Sequence, residues 1–109
     1  IWLPEDGPHL GTEASALDLI GDIYGGGADL IAIPVARFDP DTFRLASGLM
    51  CGFIQKLQNY GYRLAIVGDI SPFTARSATL TDFVRETNRR GHHRFAPTAE
   101  ALRTALAGG

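Results

Sequence analysis

Cysteine is almost absent from this sequence: Cys51 stands alone among 109 residues. One thiol can neither close an internal disulfide nor supply a cysteine-rich zinc site. A chain without disulfides is expected in a reducing cytoplasm. Lysine is as scarce. Lys56 is the only one, the other basic residues are arginines, and the formal net charge is −2. That balance leaves no basic footprint for nucleic acid, so no nucleic-acid partner is expected. No apolar run approaches the roughly 20 residues of a membrane-spanning helix, and no signal peptide is visible, so no membrane association is expected. The sequence has no Walker loop, no G-x-S-x-G elbow and no G-x-G-x-x-G after a strand. Scattered aspartates and serines do not make a mechanism. No catalytic residue and no cofactor is therefore assigned, and a non-enzyme is expected. The chain opens on Ile1 rather than Met, so some residues or a tag are expected upstream.

What is present suits one compact soluble domain over residues 1–109, with 45% hydrophobic and 20% charged residues. Ile1–Leu3 reads as a short strand stopped by Pro4. Glu5-Asp6-Gly7-Pro8 reads as a turn, and His9-Leu10 as a second short strand returning as a hairpin. Ser15 with Asp18 has the form of a capping box, Thr12 being an alternative cap. Ala16, Leu19, Ile20 and Ile23 then fall on one helical face, and Gly25-Gly26-Gly27 ends that helix. Asp29–Val35 and Arg63–Asp69 are continuous apolar runs of the kind covered on both sheet faces. Asp39-Pro40-Asp41 is a helix start, and the spacing of Phe43, Ala46, Met50, Phe53, Ile54 and Leu57 predicts a helix from there to about Tyr60. Gly48 and Gly52 would lie in its interior, where close backbone packing would offset their cost. A helix from about Thr79 to Gly91, a strand over His93–Ala96 and a last helix capped by Thr98 complete the order. Right-handed crossovers would set about four helices against a mostly parallel sheet of four to five strands, an α/β fold.

Ser47-Gly48-Leu49 between the two buried strands, then Gly61 and Leu64-Ala65-Ile66-Val67-Gly68, then the tail Glu100-Ala101-Leu102, resemble the STAS domain, the fold of the anti-sigma factor antagonists. A longer collinear set resembles an uncharacterised bacterial domain-of-unknown-function family of DUF4180 type. It comprises Ala16-Leu17-Asp18-Leu19-Ile20-Gly21, Gly27-Ala28-Asp29, Gln55-Lys56, Asn59-Tyr60, Leu64 to Ser71, and Asp82-Phe83-Val84-Arg85-Glu86 with Asn88. This second resemblance brings no activity. The first implies a STAS-like regulatory module that acts through protein contacts, with an unnamed protein partner or as a homodimer. It aligns Ser47 with the phosphorylated serine of the antagonists. Two departures stand out: Leu45-Ala46 replaces the acid that usually precedes that serine, and Gly52 replaces an acid common in the second family.

A phosphate on Ser47 would add about −1.5 to −2 charges and could eject a partner. A helix starting at Asp39 would instead bury Ser47, so the switch needs a later helix start. The alternative function is a small-ligand site, or a small enzyme, in the crevice at the carboxyl ends of the strands. Its candidates are Arg37, Asp39, Asp69, Ser71 and Ser77, with Thr79 beside them at a helix start. Glu86 and Asn88 form a third candidate, a surface site. They do not share a helical face, and their structural roles would be an ion pair with Arg89 or Arg90 and a C-cap. His92-His93 points to opposite sides of a strand and lacks a third ligand, so no metal is expected. Cys51 is expected to be a buried, inert thiol.

Overall fold

A computed structural model describes residues 1–27 and 29–107. Ala28, within the Gly27-Ala28-Asp29 segment, lies outside the described residues. The helices are α1 (Glu13–Ile23), α2 (Leu49–Asn59), α3 (Ser71–Thr74), α4 (Ala78–Arg90) and α5 (Ala99–Ala107), and the strands β1 (Leu30–Pro34), β2 (Arg63–Val67) and β3 (Arg94–Ala96). The two apolar runs pair as parallel neighbours, Leu30 opposite Arg63 through Pro34 opposite Val67. β3 joins the other side of β2, also parallel, giving the order β1-β2-β3.

Among the described residues the sheet thus has three strands rather than four or five, and there are five helices rather than about four. The expected amino-terminal hairpin does not form. Trp2 makes a single parallel bridge to Ala32 on the free edge of β1, and Leu10 a single parallel bridge to Phe38. Pro4 and Pro8 bring no N–H to a ladder. The connecting loop is tied instead to Arg37, whose guanidinium donates to the carbonyls of Pro4 and Pro8.

The long helix expected from Asp39 is divided. Asp39 does cap a turn, accepting from Asp41 N–H, but only a 3₁₀ turn over Pro40–Phe43 follows. The chain turns extended at Arg44, makes a second 3₁₀ turn at Leu45–Ser47, and enters α2 through Gly48 at φ 76°. A left-handed residue cannot sit inside a helix, and glycine takes that conformation without steric cost. Gly48 is therefore an N-cap, not an interior residue. At Gly52 the close neighbour is a side chain and not the expected backbone: a Cβ there would meet the Glu13 carboxylate at 3.2 Å, across the α1–α2 contact. The buried stripe of α2 is Met50, Phe53 and Leu57. Cys51 falls off that stripe and is exposed, contrary to the expectation of a buried thiol. At α1 the cap is Thr12, in a reciprocal box with Ser15, rather than the Ser15–Asp18 pair.

Side-chain alternation along the strands divides the core in two. Ile31, Ile33, Leu64, Ile66 and Phe95 meet the buried faces of α1, α2 and α4. On the opposite face Ala32, Ala65 and Ala96 meet Leu102 of α5. The small side chains on that face let α5 lie close to the sheet.

Candidate functional site

β2 and β3 end side by side, and past their carboxyl ends lies a crevice of about 410 Å³. Its volume is within the range of small-molecule sites. Phe95 and Ala96 line it from β3, and Asp69, Ile70 and Ser71 from the turn after β2. Thr81, Val84, Arg85 and Asn88 line it from α4, at the i, i+3, i+4, i+7 spacing of one helical face. α4 is anchored beside it by Ser77, whose hydroxyl accepts from Leu80 N–H.

The polar groups of this crevice are set by local hydrogen bonds. Asp69 Oδ1 accepts from Ser71 N–H at 2.9 Å. The Ser71 hydroxyl and N–H hold the Asp69 carboxyl below its ordinary range, so it is charged at neutral pH. Asn88 Oδ1 accepts from Phe95 N–H at 2.7 Å, which ties α4 to β3 and turns the amide nitrogen away from that bond. Arg85 touches Asp82 at 3.3 Å on an exposed surface.

Of the crevice candidates, the structure brings Asp69 and Ser71 together there, and not the others. Arg37 is buried under the amino-terminal loop, with its guanidinium on the Pro4 and Pro8 carbonyls. Asp39 caps a 3₁₀ turn. Ser77 and Thr79 line a separate groove of about 550 Å³ with Phe43, Arg44, Phe73 and Arg76. Asn88 belongs to the crevice and is no C-cap; Gly91 takes that place in the left-handed conformation. Glu86 is the surface residue expected, paired with both Arg89 and Arg90, and Arg89 holds its carboxyl below the ordinary range. Arg85 and Phe95 also line the crevice, and no sequence motif singles them out. The α4 spacing from Thr81 to Asn88 could have signalled Arg85.

Ser47 lies one residue before the N-cap of α2 and is half-buried. Its hydroxyl donates toward the carbonyls of Arg44 at 2.7 Å and Asp41 at 3.0 Å, and accepts from Leu49 N–H at 3.2 Å. It therefore clasps the two 3₁₀ turns to the start of α2. His93 is buried with both ring nitrogens engaged: Nδ1 accepts from Leu64 N–H and Nε2 faces Gln58 Oε1, each at 3.0 Å. A ring so committed has no lone pair left for a metal.

A family model described as "Domain of unknown function (DUF4180)" matches residues 1–106. The chain belongs to the DUF4180 family. No curated protein and no solved structure matches it. The family description assigns no activity, so the chemistry of this DUF4180 domain rests on its own residues. No helix among the described residues is long and apolar enough to cross a membrane.

Proposed function

We propose that this DUF4180 domain is a non-enzymatic regulatory module of STAS-like type, acting through protein contacts in the bacterial cytoplasm, with Ser47 as its switch. The observation that carries this reading is the start of α2 at Leu49, which leaves Ser47 ahead of the helix instead of inside it. A half-buried hydroxyl at a helix amino end is chemically suited to phosphorylation. The ester oxygen of a phosphoserine has no proton to donate to the Asp41 and Arg44 carbonyls, so the clasp between the 3₁₀ turns is lost. The new dianion gains from the unpaired N–H groups of the first turn of α2. A partner docked on this face then meets both a reshaped surface and added negative charge.

The test is affinity capture from bacterial lysate with the wild type, Ser47→Ala and Ser47→Asp. A specific partner retained by the wild type and by Ser47→Ala, and lost by Ser47→Asp, is the expected result. Ser47→Ala removes the clasp without adding charge, so it separates the two effects. Equal behaviour of the wild type and Ser47→Asp removes the switch.

A further inference from the structure

The crevice past β2 and β3 combines features that the Ser47 reading does not use. Its floor is apolar, formed by Val84, Phe95 and Ala96, with Ile70 and Pro97 beside them. One lip carries the ionised Asp69 and the other carries Arg85. Among the described residues Asp69 makes no ion pair, and Arg85 pairs only with exposed Asp82. The two opposite charges thus line one crevice from different elements without pairing with each other. Next to Arg85, Asn88 lines the crevice with its carbonyl oxygen bonded to Phe95 N–H, which leaves both N–H donors of its amide without a partner among the described residues. The Arg85 lip therefore favours a carboxylate, and the Asp69 lip an ammonium.

We propose that this crevice binds a small zwitterion with an apolar body: a free α-amino acid with a hydrophobic side chain. Its carboxylate lies on Arg85 and the Asn88 amide, its ammonium on the Asp69 carboxylate, and its side chain on Val84 and Phe95. Charge-assisted hydrogen bonds at both ends supply orientation, and burial of the side chain supplies affinity. Nothing in this site touches Ser47, so the two proposals stand or fall separately.

Titration of the ¹⁵N-labelled chain, followed by its amide spectrum, tests the proposal with L-phenylalanine, L-leucine, phenylalaninamide and N-acetylphenylalanine. The expected result is saturable shifts at Ile70, Val84, Phe95 and Ala96 with the two amino acids. The amide lacks the carboxylate and the acetylated form lacks the ammonium, and each should bind at least about tenfold more weakly. Arg85→Gln should erase the preference for phenylalanine over its amide, and Asp69→Asn the preference over the acetylated form. Both variants should preserve the fold: Arg85 is exposed, and asparagine keeps the acceptor for Ser71 N–H. No saturable shift up to about 10 mM of either amino acid, which is beyond millimolar affinity, overturns the proposal. So does equal binding of the capped and free forms.

Discussion

At the scale of single residues, His93 shows how one ring can carry a structural load that looks like a metal site in the sequence. Leu64 N–H donates to Nδ1, so the proton of the neutral ring sits on Nε2 and is donated to Gln58 Oε1. Protonating Nδ1 would set two donors against each other at the start of β2. Burial, and then the nearby His92 and Arg63, hold the His93 pKa down at about 4 against an ordinary 6.5. Arg63 is partly offset by Asp29 at 3.4 Å, and Arg90 and Cys51 border the same groove. The folded state binds the proton less readily than the unfolded chain does, so the contribution of His93 is fully present above pH 6.5. It is lost as pH falls from 6.5 to about 4, by on the order of 2–3 kcal/mol. Urea unfolding at pH 7.5 and at pH 5 measures it. His93→Leu should be less stable than the wild type at pH 7.5 and should lose most of this pH dependence. A wild-type stability that does not change between pH 7.5 and 5 removes the argument.

At the scale of elements, β3 is three residues long and lies at one side of the sheet. A strand that short gains little from its ladder, and the bond from Phe95 N–H to Asn88 gives it a second anchor, to α4. Asn88→Ala leaves that N–H without its partner in a partly buried place, which should cost about 1–3 kcal/mol. Asn88→Asp keeps the acceptor and should cost less. Amide exchange at Phe95 reads the difference directly, and similar exchange in the two variants would show that the anchor is unimportant. The apolar runs around Ile33 and Val67 specify buried parallel strands because a run without alternation fits little else. The split before α2 was not legible from apolar spacing. Phe43 and Ala46 match a helical period whether the chain is α-helical or in two 3₁₀ turns. The decision rests with Gly48, which takes φ 76°, and with the Ser47 hydroxyl, which reaches back to Asp41. Half of the crevice was readable, since Asp69 and Ser71 follow a recognisable strand. Arg37 was misplaced because its partners, Pro4 and Pro8, are distant in the chain and are reached only through their carbonyls.

At the scale of the whole molecule, the two sheet faces are unequally covered. Three helices close over the Ile31, Ile33, Leu64, Ile66 and Phe95 face, whereas among the described residues one helix, α5, packs on the Ala32, Ala65 and Ala96 face. The second core depends on Leu102, fully buried among those alanines, with Ala101 and Leu106 partly buried beside it. Alanine faces allow close approach but offer little area, so Leu102 carries much of what holds α5 in place. Leu102→Ala should cost about 2–4 kcal/mol. Because α5 packs on this separate core, the loss should appear as undocking of one layer. Hydrogen exchange should then rise sharply over Ala99–Ala107 while β1, β2 and α2 stay protected. A substitution that instead raises exchange uniformly would mean that the two cores unfold as one, and that α5 is integral to the sheet.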